Sequence, residues 1–323
     1  MAGSASKSAL VLDGEGLYEH IELANEPFAA GIDVVFRSIE DLAIDIGPGG
    51  VCIRETVDGR DLADFGLVQV FSYRRLTGTL MNAVADYLAA KGVRAVNIAG
   101  IGAPTKLFKY VRLANRGLSI PSTVYLPPPL LPGAYQDLAE QLDLPFVLKT
   151  VTGGRRDVTI LIRNEEAFTE KIRETDHARG LLAQELVPPD GSYFLLVLGG
   201  HVSFALQHRS IGSDDLLAES GWEDADLVDL HRLDPAAQET ALHAAESLGY
   251  DIAGVHLVQH WTTGQWCVLD VSPSPPISSG EYTADKVSAY SAYLKRRLSD
   301  PRQGHADGVL DPNAVEVRRD TRR

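Results

Sequence analysis

A mixed α/β (α+β) fold built on more than one sheet is what the sequence predicts, and three observations carry it. Short apolar runs alternate with amphipathic stretches through roughly the first hundred residues, the pattern of a small parallel sheet connected by helices. A glycine turn at 150–157 (TVTGGRRD) stands between two apolar strands and reads as a hairpin. Two later segments, 181–187 (LLAQELV) and 252–275 (IAGVHLVQHWTTGQWCVLDVSPSP), read as strands with polar groups at their ends. At 323 residues, 45% hydrophobic and 23% charged, the chain has the material for a sizeable core in two or three lobes.

From the N-terminus, strands are expected at 9–12, 32–36, 67–71 and 95–98, and helices near 17–30 and 79–91. The first turn, 13–16 (DGEG), lacks the three-glycine fingerprint of a dinucleotide-binding loop. A helix follows over 106–117 (KLFKYVRLANRG), after which Pro121 blocks helix continuation and Val124 and Tyr125 favour a strand. The proline-rich stretch 127–132 is a linker. Beyond it come a helix at 135–142, strands at 146–149 and 158–163, and a helix that Asn164 caps, with acidic residues in its first turn.

The formal net charge of −14 opposes phosphate backbones and anionic lipid, so neither a nucleic acid nor a membrane is expected as partner. The basic segment 315–323 (VEVRRDTRR) follows a Pro, Gly and Asp-rich stretch from Asp300 and reads as the end of a disordered tail. Cys52 and Cys267, in VCIRE and WCVLD, suit packed strands rather than a disulfide framework. No apolar run approaches a membrane span. The expected location is therefore cytoplasmic, and a homo-oligomer is compatible with the composition.

Gly153 and Gly154 in the glycine turn let backbone amides approach phosphate oxygens, with the Lys149 cation at the preceding strand end. An exposed basic hairpin tip explains the same residues. Gln184, Glu185, Leu186 and Val187 run into a Pro-Pro-Asp-Gly turn, where backbone groups can read an adenine edge and Asp190 or Ser192 can reach a ribose hydroxyl. A solvated strand end is the alternative. His201, His208, His256 and His260 satisfy no zinc spacing.

The order of these pieces from Asn97 to about Leu298 resembles the ATP-grasp superfamily, nearest its branch of glutamate ligases that modify ribosomal protein tails. The resemblance is carried by Asn97, Lys106 opening KLFKYVRLANRGLSIPST, Lys149 in PFVLK, the glycine loop, and Gln184 with Glu185. The stretches YFLLVLGGHVSFALQHR, AAESLGYDIAGVH and LDVSPSP complete it. It implies an ATP-grasp fold with an N-terminal Rossmann-like pre-ATP-grasp lobe over 1–104. A small subdomain with hinge would span 105–190, a C-terminal subdomain 191–299, and the tail 300–323.

The resemblance further implies ATP as cofactor, with Lys106 and Lys149 on phosphates or adenine, the loop 152–156 over the phosphates, and 184–187 against adenine. Arg209 would support the phosphoryl group or the acyl intermediate. The implied reaction is phosphorylation of a carboxylate followed by attack of an amine, on a small molecule, a peptide or a protein tail. Mg2+ is implied as well, but the metal end departs from the pattern: the family's Asp after AGV is His256, its Glu is Asp270 and its Asn is Ser272. Asp270 keeps a charge on a shorter arm, Ser272 keeps an oxygen, and His256 exchanges an anionic ligand for a softer nitrogen. Phe194 also replaces a family arginine, and Asp251 or Glu281 are acids available to compensate. The alternative is a degenerate ATP-grasp protein that binds nucleotide or peptide without chemistry.

Overall fold

Three sheets and one separate hairpin organise the described residues in a computed structural model, which describes residues 8–13, 32–71, 78–98, 105–151, 159–174, 180–187, 191–208 and 225–299. The first sheet comprises β1 (Ser8–Asp13), β2 (Asp33–Ser38), β5 (Leu67–Val70) and β6 (Arg94–Val96). They run in the order β2-β1-β5-β6, and every pairing is parallel. Strand β1 is buried on both faces, as its unbroken apolar run requires. Ala9 and Val11 enter one core with Phe71 and Val96, while Leu10 and Leu12 enter another with Ile53, Met81 and Leu88. Helix α1 (Gly78–Lys91) supplies Met81 and Leu88 to that second core.

Of the hairpin of β3 (Leu42–Gly47) and β4 (Gly50–Glu55), only the strand around Cys52 was expected. The helix expected near 17–30 and the tail 300–323 lie outside the described residues, as does the turn 13–16 beyond Asp13.

Helix α2 (Lys106–Asn115) leads to the second sheet, made of β7 (Thr123–Leu126), β8 (Phe146–Thr150), β9 (Thr159–Ile162) and β10 (Leu181–Glu185). Its order is β7-β10-β8-β9, all antiparallel. Helices α3 (Tyr135–Leu142) and α4 (Glu165–Glu174) cover it through Leu138, Phe168 and Ile172, which pack with Phe146 and Leu148. Asn164 caps α4 as its position predicts, accepting from the Ala167 amide at 2.9 Å. The proline linker holds a 3-10 turn at Pro128–Leu130.

The third sheet is antiparallel in the order β13-β12-β11-β14-β15. Its strands are β11 (Ser192–Leu198), β12 (Val202–His208), β13 (Ala225–Leu227), β14 (Ile252–Gln259) and β15 (Trp266–Ser272). Along β11, Phe194, Leu196 and Leu198 join the core that contains Ala9, whereas Leu195 and Val197 join another, the period-2 alternation of a strand buried on both faces. The second of these cores is completed by Ala237, Ala241, Ala244, Ala245 and Leu248, one face of α5 (Pro235–Leu248). Small alanines let this helix approach the sheet closely. Asp234 caps it, Pro235 opens it and Gly249, at φ 72°, closes it in the left-handed conformation.

Helix α6 (Thr283–Ser299) joins the first and third sheets. Its Tyr290 hydroxyl donates to Gln69 at 2.8 Å. Asn97, buried at φ 57° just after β6, ties the same two parts together. Its amide nitrogen donates to the carbonyls of Ile252 and Pro273, both at 2.7 Å, and its oxygen accepts from the amides of Asp251 and Ile252.

Candidate functional site

Thr105 starts α2 by accepting from the Phe108 amide at 3.2 Å. The inward stripe of this helix is Lys106, Lys109, Tyr110 and Leu113, all buried. Two lysines therefore occupy positions where a helix usually places apolar side chains. The helix is pinned at both ends of the stripe: the Lys106 amide donates to the Val151 carbonyl at 2.9 Å, and the Tyr110 hydroxyl donates to the Leu269 carbonyl at 2.7 Å.

Lys149 lies on β8 opposite Leu182 of β10, and its ammonium donates to Gln184 Oε1 at 2.7 Å. The Gln184 amide nitrogen donates in turn to Thr123 Oγ1 at 2.8 Å. Three adjacent strands of the second sheet, β7, β10 and β8, thus share one polar relay, with Gln184 buried at its centre. Glu185 holds the next position: its carboxylate accepts from the Ser122 amide at 3.1 Å and lies 3.1 Å from His260 Nε2. Leu186 is half-buried, and Val187 packs with Val258 and Cys267. The segment 185–187, the described start of the connection from the second sheet to the third, is thereby anchored to both.

At the edge of the third sheet, His256 of β14 stands opposite Asp270 of β15, and Gly254 opposite Ser272. A Cβ at Gly254 would meet Phe194 at 2.6 Å and Pro275 at 2.9 Å, so only glycine admits these neighbours. The Phe194 ring meets His256 edge-on at 5.4 Å. Burial lowers the His256 pKa to about 4, against the pull of Asp270, and keeps the imidazole neutral at physiological pH. Its pKa also carries the charges of Lys109 and Lys149 and of His208. Lysines from α2 and β8 thus bear on one point of the third sheet.

Asp270 is met by Lys109, whose ammonium donates to Asp270 Oδ1 at 2.5 Å and to the Val271 carbonyl at 2.8 Å. Burial works to raise the Asp270 pKa, but the charges of Lys109 and Lys106 and the Lys109 hydrogen bond hold it well below the usual carboxylate range. Ser272 Oγ accepts from the Ser274 amide at 3.2 Å.

This donor set does not fit a divalent ion. Magnesium requires a shell of hard oxygens, while here the one carboxylate is paired with an ammonium and its neighbour is a neutral imidazole. Among the described residues no cluster of three or more His, Cys, Asp or Glu can hold a metal. Of the two compensating acids, Asp251 is held instead by Arg297 and the Tyr293 hydroxyl. Burial lowers the His208 pKa, and the charge of nearby Glu281 opposes that shift.

The structure therefore gathers Lys106, Lys149, Gln184, His256 and Asp270 around one region, with Glu185 to Val187 beside it. Gly153, Gly154, Asp190 and Arg209 lie outside the described residues. Lys109 was missed from the sequence. The signal was present, because Lys106 and Lys109 are three residues apart and fall on one helical face.

No protein-family model matches the chain. In sequence it is 26% identical to a probable alpha-L-glutamate ligase of Mannheimia succiniciproducens, over 67% of this chain and 72% of that protein. A second probable alpha-L-glutamate ligase, from Parasynechococcus marenigrum, is 24% identical over 68% of this chain, which spans only 48% of that relative. In structure, the ATP-grasp ligase PsnB complexed with a phosphomimetic variant of its minimal precursor, Mg and ADP aligns with a TM-score of 0.68. It is 17% identical and the alignment covers 92% of this chain and 99% of that one. A RimK domain protein of Sphaerobacter thermophilus aligns with a TM-score of 0.60 at 19% identity, over 88% of this chain and 99% of that one. The chain has the ATP-grasp fold and stands near the alpha-L-glutamate ligase branch of that superfamily.

Proposed function

We propose that this chain is an ATP-dependent carboxylate-amine ligase that activates a carboxylate of a peptide or protein tail as an acyl phosphate. The observation that carries this reading is the convergence of Lys106 and the Lys149–Gln184 pair on the His256–Asp270 edge, next to the segment 185–187. Cations from two elements directed at one point suit a polyphosphate. The similarity to probable alpha-L-glutamate ligases and to peptide-modifying ATP-grasp ligases supports amide formation on a peptide. The corresponding division is a lobe over 1–104, a small subdomain over 105–190 and a larger one over 191–299. No helix among the described residues is long and apolar enough to cross a membrane, and the cytosol is the proposed place of action.

In this reading the backbone of 184–187 faces adenine, Asp190 holds ribose, and amides around Gly153 and Gly154 cover the phosphates. Lys106 and Lys149 draw charge off the transferring phosphoryl group, and Arg209 supports the acyl phosphate. A substrate carboxylate oxygen attacks the γ-phosphorus and ADP departs. The amine nitrogen then attacks the acyl carbon, phosphate leaves, and the amine gives up its proton. Lysines and oriented amides lower the barrier by neutralising negative charge where it develops.

The Lys109–Asp270 ion pair favours a second reading, a nucleotide-binding module without chemistry. ADP release separates the two. The ligase requires sustained, multiple-turnover ADP release to depend on both the carboxylate and the amine, and requires Lys149→Ala to slow it at least about tenfold. ATP that binds and is never turned over by any carboxylate and amine pair establishes the module instead.

A further inference from the structure

We propose that Lys109 is the built-in cation of this site, so that a nucleotide polyphosphate binds beside Asp270 without a divalent ion. The inference rests on the nucleotide-binding part of the reading above. Lys109 is 7% exposed, and its helix is fixed by the Tyr110 hydroxyl bond to the Leu269 carbonyl. Its ammonium is therefore a placed charge rather than a mobile surface one.

Charge balance points the same way. The Lys109 ammonium is bonded to the Asp270 carboxylate, and the Lys106 charge acts on the same carboxylate. A carboxylate left unpaired repels polyphosphate until a metal bridges the two, whereas one already neutralised by a lysine does not. The hydrogen-bonding capacity of Lys109 allows the contact. An ammonium has three donors; two go to Asp270 and the Val271 carbonyl, and the third is not used by the described residues. A divalent ion on Asp270 would meet the Lys109 charge at close range and be repelled.

The test is calorimetric titration with ATP, once in excess EDTA and once in excess Mg2+, on the folded full chain. For the wild type the two affinities are expected to agree within about threefold. Lys109→Met is expected to lose at least about tenfold in EDTA and to recover most of it with Mg2+, because Asp270 is then free for the ion. Lys109→Arg, which keeps the charge, is expected to stay metal-independent. Electron paramagnetic resonance of Mn2+ without nucleotide is expected to find no bound ion on the wild type and one on Lys109→Met. A wild type that loses tenfold or more in EDTA overturns the proposal and leaves the ligase reading standing, as does a Lys109→Met chain that binds normally in EDTA. ATP binding under neither condition overturns both. Should Lys109→Met fail to fold, the wild-type comparison decides alone.

Discussion

Gln184 has no charge and touches no reacting atom in the proposed chemistry, yet it holds Lys149 in place through its carbonyl and is itself held by Thr123. Replacing it removes one acceptor of a half-buried ammonium. We expect Gln184→Ala to weaken ATP binding about tenfold, the size of one charge-assisted hydrogen bond, while Gln184→Glu retains most of the affinity. Titration of both variants checks this. Gln184 and Lys149 were legible as candidates in the sequence because each sits at a strand end beside a turn signal. Their hydrogen bond was not, since it spans strands 35 residues apart.

At the scale of elements, the turn that follows the β3–β4 hairpin shows how a side chain can specify a turn. Glu55 is fully buried and accepts from Arg37 Nε and from the amides of Val57, Asp58 and Arg60 at 2.9–3.1 Å. Burial would raise its pKa, but Arg37 and those amides outweigh it and bring the value down to about 2. A carboxyl whose folded pKa is depressed contributes stability above its unfolded value, near 4.5, and loses it as pH falls toward the folded one. We therefore expect the part of the protein around Glu55 to weaken between about pH 4.5 and 2. Glu55→Ala should cost about 3 kcal/mol at pH 7 and remove that acid sensitivity, as read by urea denaturation at several pH values. The strand around Cys52 was expected, but its pairing with β3 escaped the sequence because the apolar residues do not mark one face. Ile46 is 80% exposed, and the buried positions include the charged Glu55.

Across the whole molecule, Asn97 and α6 connect the first sheet to the third. Asn97 serves four backbone groups, at the start of β14 and just past the end of β15, and its left-handed φ suits asparagine better than most residues. Asn97→Ala would orphan two amides and two carbonyls. We expect a loss of about 3 kcal/mol or more in unfolding free energy, with a lower urea midpoint. Asn97→Asp should recover little, because its second oxygen would face the carbonyls of Ile252 and Pro273.

The sequence by itself determined most of the local elements. The helix at 135–142, the Asn164 cap and the strands around Lys149 and Gln184 follow from short-range periodicity, capping chemistry and proline placement, all of which act within a few residues. Ordered motifs along the chain also indicated the fold. What only the tertiary structure decided is the character of the metal end. Lys109 and Asp270 are 161 residues apart, and nothing local to either predicts that they meet. Electrostatics acts through space, so whether Asp270 is a metal ligand or a lysine's counter-ion depends on how α2 packs against β15.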